Sequence, residues 1–525
     1  MKKLAVMLAL VMALAVLPAT ALADDSSYAE TLFDRSSLIE IDIQMDDAAW
    51  DNMIATAEDE EYSSCNLVVN GVTYENVGIR PKGNSSMMTV TRNDSERYSW
   101  RIKFDKYEKK QTCDGLDILI LNNGFHDPGN LNEAISYDMY AFLDADASLY
   151  NYAVVYHNGE YFGVYLALEG VDESFAERNY GRDYGELYKP EMGGGMGNNR
   201  NNAERGGAFG RASGEASDRT SAEASAETAT ESPTREAAAS QEPSAEVSAS
   251  GESNGERSGG ASRESRGSFG GGGFGGSDAL ALNYVGDDLE SYQGIWDSAK
   301  FNSDEEDYAR VVEALKHVCQ GDDIAGYLDV DNVLKYFAIQ TFIYNHDGLT
   351  GNVAHNYYLY EQDGRLNLIP WDLNESFTVS GDGSDFVNFP IDTPFTVNDL
   401  SQRSFFMALL ENGEYLAQYH EYLRQLSEEY VLGGGLEETV TRIRGQIDGL
   451  VETDPTKFAD YATYEGKADG LMTVIALRAE SVLGQLSGEI PATRDGQKAE
   501  PEKLLDTSGA DLSGLSSSGS GEMRR

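Results

Sequence analysis

The chain has 525 residues and a formal net charge of −49, a balance that excludes nucleic acid and anionic membrane surfaces as electrostatic partners. Its cysteines, Cys65, Cys113 and Cys319, are too few and too scattered for a disulfide scaffold or a zinc site. Cohesion must therefore come from an apolar core, with Cys65 and Cys113 either bridged or buried as free thiols.

Residues 1–23 read as an export signal. Lys2 and Lys3 precede an apolar run over 4–17, and Ala21-Leu22-Ala23 forms a small-x-small cleavage site. That run is short for a membrane span, and no later one approaches the roughly 20 apolar residues needed. A secreted chain without stable membrane insertion is expected.

Residues 24–191 read as a strand-rich unit. Ile39, Ile41 and Ile43 alternate with polar residues, the period of a half-buried strand. Asp46 suits the N-cap of a short helix through Trp50 and Met53. Asn70-Gly71 and Asn158-Gly159 mark hairpins between strands over 66–69 and 72–79, and over 153–156 and 161–168. Between them lie a Pro/Gly-marked loop over 80–86, strands over 98–104 and 116–121, and a helix over 131–143 spaced by Leu131, Ile135, Met139 and Phe142. Residues 192–277 turn to Gly, Ser, Ala, Glu and Arg, a composition that cannot bury enough apolar surface to order itself; a disordered insert is expected.

Order resumes in a unit over 278–487. Helices are expected over 308–318 and 330–344, strands over 356–360 and 366–369 around Asp363-Gly364, then helices over 404–410, 416–430, 436–451 and 457–486. The polar tail, 488–525, is expected to be disordered. Strands followed by helices make an α+β chain of two lobes.

Two aspartates carry the chemistry. Asp347 stands on a polar loop after an apolar helix, and Asp372 follows an apolar strand 25 residues on. Phosphoryl transfer needs one carboxylate to orient the attacking hydroxyl, and another, with an Asn, to hold magnesium on the nucleotide phosphates. In protein kinases a metal-binding Asn follows the first Asp by five positions, which marks Asn352; Asn356 and Asn374 also offer oxygens. Arg101 and Lys103 share one strand face that could grip phosphates, and the loop through Gly83, Asn84 and Ser85 could cover them. Glu169 closes a strand where a kinase's inter-lobe hinge falls, and Glu133 heads a helix from which it could pair with Lys103.

The segments RPKGNSS (80–86), RIKFDK (101–106), LNN (121–123), NGEYFGVYLALEGVD (158–172), LYKPE, NHD (345–347), HNYYLY (355–360) and PWDLN (370–374) together resemble the CotH (spore-coat protein H) family of atypical secretory kinases. The resemblance implies a reduced, two-lobed protein-kinase-like fold and ATP-dependent phosphorylation of Ser residues on secreted or spore-coat proteins. It implies Asp347 as the catalytic-loop carboxylate, Asp372 as a magnesium ligand with Asn352 or Asn356, and Arg80, Asn84, Ser85, Arg101, Lys103 and Glu169 around ATP. PWDLN departs from relatives in carrying Asn374 where an acidic residue is common, and no Gly follows Phe377. The expected activity is that of an exported Mg-ATP-dependent Ser/Thr kinase acting on Ser-rich segments of a secreted or surface protein. A pseudokinase scaffold and an adhesion module are the rival classes.

Overall fold

The computed structural model describes residues 27–83, 85–93, 95–191, 275–351, 354–379, 381–397, 399–510, 512 and 515. The export signal and residues 192–274 of the expected insert lie outside them; residues 275–277 open the helix Gly275–Leu280. Residues 1–197 and 273–525 group into one unit.

Seven strands close into a barrel: β1 (Ile39–Gln44), β2 (Ser63–Val69), β3 (Val72–Lys82), β4 (Ser99–Lys103), β5 (Ile118–Asn122), β6 (Tyr150–His157) and β7 (Glu160–Glu169), in the order β1-β2-β3-β4-β5-β7-β6. Closure comes from a parallel pairing of β1 with β6, in which Ile41 faces Val155. Side chains alternate as each strand's pattern demands: Ile41, Leu67, Ile79, Trp100, Ile102, Leu119, Leu121 and Val155 fill one core. Ile118, Ile120, Leu166 and Leu168 point the other way and join a second core with Ile135 and Met139 of the helix Asn132–Phe142. That double burial explains why β5 is an unbroken apolar run.

A kinase-like N-terminal lobe was the expectation, and the closed barrel corrects it. Alternation identifies strands but not their partners, and the β1–β6 closure joins segments far apart in sequence while removing both sheet edges. The division into two lobes at residue 191 is corrected as well. Strand β8 (Glu186–Tyr188) lies before the insert, yet it pairs with β9 (Tyr357–Gln362) in a sheet of order β10-β9-β8, β10 being Arg365–Pro370. The loop expected over 80–86 is instead the end of β3 and the start of a helix, Ser85–Arg92.

The tail is likewise ordered through residue 510, where disorder was expected. A helix spans Arg494–Ala499, Arg494 donates to the carbonyls of Val397 and Phe395, and Asn388 donates to Leu505 O at 3.0 Å. Polar composition hid this because the anchoring combines hydrogen bonds with isolated apolar contacts, Leu505 and Leu512 among them, that follow no regular spacing. Cys65, Cys113 and Cys319 are free thiols. Among the described residues no helix is long and apolar enough to cross a membrane.

Barrel and helices are tied by a buried ion pair. Arg97 donates to Asp454 Oδ2 at 2.8 Å and to Asn123 O at 2.9 Å, its guanidinium lies 4.6 Å from the Tyr165 ring centroid, and the Val164 N–H donates to the same Asp454 oxygen at 2.9 Å. Removing one partner strands the other charge in a dry site, so Arg97→Met is expected to cost about 3–5 kcal/mol. Urea unfolding checks this; a loss below ~1 kcal/mol would show the pair to be solvated.

Candidate active site

The apolar helix Val330–Ile343 stops where Tyr344 takes a left-handed conformation (φ 53°). Asn345 organises the turn that follows: its Oδ1 accepts from the Asp347 N–H at 3.3 Å, and its carbonyl accepts from Gly348 at 3.3 Å. Gly351 then folds back so tightly that a Cβ would lie 1.7 Å from the His346 carbonyl oxygen. Buried Arg403 donates to the Gly351 carbonyl from the helical side. The loop thus holds Asp347 half-buried in one place.

The hairpin β9–β10 brings the second aspartate to it. Pairing of Tyr357 with Pro370 sets Asn356 beside Trp371, whose N–H donates to the Asn356 carbonyl at 3.2 Å. The Asn356 amide donates to Asp347 Oδ2 at 2.7 Å. Asn356 (φ 57°) and Asp372 (φ 53°) are both left-handed, a conformation costly for residues with a Cβ and found where surrounding structure enforces it. Burial raises the proton affinity of Asp347, and the carboxylates of Asp372 and Glu375 add to the rise against His355 and the Asn356 amide. Asp372 thus lies near enough for its charge to act on Asp347.

The facing wall is the outer surface of the barrel. Lys82, at the end of β3, donates to Asn122 Oδ1 at 2.8 Å; the Asn122 amide in turn donates to both carboxylate oxygens of Glu133, at 2.9 and 2.8 Å. Lys82 Nζ also lies 5.5 Å from the Trp371 ring centroid. Burial lowers the proton affinity of Lys82 while Asp372 and Glu133 oppose that fall. Glu133 is pushed up to about 8 by burial first and by Asp372 next. Arg101, on β4, bonds Asp172 and the Tyr62 hydroxyl, each at 3.2 Å. Beyond it, Lys189 pairs with Glu191 at 2.7 Å and Lys300 stands 5.7 Å from the Tyr358 ring centroid.

Not every expected residue joins this cleft. Lys103 lies two positions along β4 from Arg101 and pairs with Asp105 at 3.4 Å, so Lys82, not Lys103, is linked to Glu133. Arg80 is engaged by Glu60 at 2.5 Å and by the Tyr62 ring. Glu169 is fully buried and accepts from Tyr28, Leu149 and Arg178, which makes it a structural ion pair where a hinge contact was expected. Asn84, Asn352 and the Ser85 side chain lie outside the described residues. Sequence reasoning placed Lys82 in a loop and passed over Asn122, Lys189 and Lys300; the motifs LNN and LYKPE held the signal for the first and second of those three.

Oxygen donors converge from Asp347, Asn356 and Asp372, and the wall opposite is cationic. Among the described residues no three His, Cys, Asp or Glu side chains gather as a metal cage. Magnesium is ordinarily held by one or two carboxylates together with phosphate oxygens and water, and Asp347, Asn356 and Asp372 are the oxygen donors here that could hold it.

Glu133 gives this electrostatic picture a test. Its folded pKa of about 8 lies above the ordinary 4.5, so the folded chain holds that proton more tightly. The associated stability is fully present below pH ~4.5 and is lost as pH rises through about 8. Glu133→Gln retains one of the two acceptors for the Asn122 amide and cannot titrate, so it is expected to reduce the fall of unfolding free energy across that interval whatever its offset in stability. Asp117 and Asp127, both raised to about 6, contribute to the same trend, so the difference between the two chains is the readout. Identical pH slopes would remove the assignment.

The family model described as CotH kinase protein matches residues 79–246 and 277–482 of this chain. A comparison with curated proteins finds no match.

Proposed function

For a chain that belongs to the CotH kinase family, we propose transfer of the ATP γ-phosphate to a Ser or Thr hydroxyl of a secreted or surface protein. The observation that carries this reading is the convergence of Asp347, Asn356 and Asp372 opposite Lys82. In it, Asp347 accepts a hydrogen bond from the acceptor hydroxyl and takes its proton as the oxygen attacks. The Asn356 amide keeps Asp347 oriented and limits its rotation. Asp372, with Asn356 or Asn352, would hold magnesium, which supplies charge neutralisation on the phosphates. Lys82 and Arg101 would grip the phosphates, and Asn122 and Glu133 fix the Lys82 ammonium.

Export is supported by the Lys2-Lys3 start, the apolar run over 4–17 and Ala21-Leu22-Ala23. The acceptor is proposed to carry Ser-rich segments. The stretch over 221–232 of this chain, Ser/Thr-rich with acidic neighbours, is one candidate. A second reading, a pseudokinase scaffold, draws on Asn374 standing where relatives commonly carry an acid.

Incubation of the mature chain with γ-labelled ATP and Mg²⁺ separates the two readings. Asp347→Asn is expected to cut label transfer by roughly 10²–10⁴-fold, the range of a positioned base. Asp372→Asn is expected to abolish the dependence on Mg²⁺ along with the activity. Equal labelling of all three chains would remove the assigned roles, and nucleotide-dependent thermal stabilisation with no label would favour the scaffold. Gly351→Ala supplies an independent check, because the Cβ would push the loop off the His346 carbonyl. A displacement of that size around Asp347 is expected to cost about 10²-fold in rate with the fold retained.

A further inference from the structure

One pattern in the chain has no role in the reading above. Eleven glutamates lie between residues 192 and 274, and seven of them stand two places after a serine. The pairs are Ser213 with Glu215, Ser221 with Glu223, Ser225 with Glu227, Ser240 with Glu242, Ser244 with Glu246, Ser250 with Glu252 and Ser262 with Glu264. Fourteen serines spread at random over that stretch give about two such pairs, so biased composition does not account for seven. The other seven serines there lack the glutamate and supply a control within the same chain.

The spacing has a physical meaning for an acceptor bound in extended form. Side chains two residues apart on an extended chain point the same way, about 7 Å from each other. A serine turned toward Asp347 therefore turns the glutamate two places on toward the same wall. On one flank of Asp347 that wall carries the partly exposed His126. Its Nδ1 pairs with Glu375 Oε1 at 2.8 Å, and its Nε2 has no hydrogen-bond partner among the described residues. The segment is anchored on both sides. Asn123 Oδ1 accepts from the Phe125 N–H at 3.1 Å, the Phe125 ring meets Phe458 edge-on at 5.1 Å, and the Asn132 amide donates to Ser376 O at 2.9 Å. The bond to Glu375 raises the proton affinity of His126 against burial, and the charges of Glu375, Asp372 and Asp347 add to the rise. A protonated imidazole donates from both nitrogens, which leaves Nε2–H for a second carboxylate.

We propose that the site selects serines followed two residues later by glutamate, and that His126 is the residue that reads this carboxylate. The proposal rests on the kinase reading of the site and names its acceptor class. The bond changes are those of the transfer itself. The serine oxygen bonds to the γ-phosphorus, the bond from that phosphorus to ADP breaks, and the hydroxyl proton goes to Asp347; the glutamate is bound and unchanged. His355, the other histidine whose charge acts on Asp347, also acts on Glu191, which puts it on the phosphate flank.

The mature chain with γ-labelled ATP and Mg²⁺ supplies the test, using two synthetic acceptors. One is a peptide of residues 219–229, the other its form with Glu223→Gln and Glu227→Gln. The glutamate peptide is expected to be favoured roughly fivefold to tenfold in kcat/KM, expressed in KM because the contact is remote from the phosphorus. In His126→Gln that ratio is expected to fall toward one, while His126→Arg, always charged, and His355→Gln retain it. A ratio taken within one variant does not depend on how much of that variant is folded. Equal use of the two peptides by the unmodified chain, or an unchanged ratio in His126→Gln, overturns the proposal while leaving the kinase reading intact. A ratio that collapses in His355→Gln instead assigns the glutamate to the other flank and overturns the role of His126. Absence of all label sinks the kinase reading and the proposal together. A second measurement needs no variant: label that the chain places on itself is expected on the seven serines with the glutamate ahead of the seven without. Equal labelling of the two sets counts against the acceptor class.

Discussion

The site hangs on Asn356. Its side chain holds Asp347 and its carbonyl receives the Trp371 N–H, so one residue fixes the separation of two carboxylates that come from different elements. The hairpin register makes this possible, because the last pair, Tyr357 with Pro370, leaves the flanking residues adjacent. The left-handed turns at Asn356 and Asp372 are the conformational cost of that arrangement.

Charge balance in the cleft follows from the same geometry. Burial first, and the charge of Asp372 after it, raise the proton affinity of Asp347 and Glu133, while burial and then Arg101 and Lys189 lower that of Lys300. The proposed metal-nucleotide would bring charge of both signs to these two groups of side chains.

Much of this was legible in the chain itself, for identifiable reasons. Period-two runs announced the strands, Asn-Gly pairs the hairpins, and the Asp347–Asp372 spacing around a hairpin the core of the site. The failures are failures of pairing. Alternation put Arg101 and Lys103 on one face, and it would equally put Arg80 and Lys82 on one face; only the barrel register, with Asn122 at the end of β5, decides that Lys82 meets Glu133. Lys300 reaches the cleft through a single bridge, which leaves no periodic trace. Glu169 was misread because a buried ion pair with Arg178 and a hinge contact look alike at the end of an apolar strand.

The described residues on either side of 192–274 are held by specific contacts beside the cationic side chains. Strand β8 is secured to β9, Glu191 N–H donates to Gly294 O at 3.0 Å, and the Tyr188–Ala299 bridge closes the gap from the other side. The same contacts that pin the ends also place Lys189 and Lys300. Assembly of the cationic wall therefore depends on that bridge, and a variant that loosened it would separate Lys189 from Lys300.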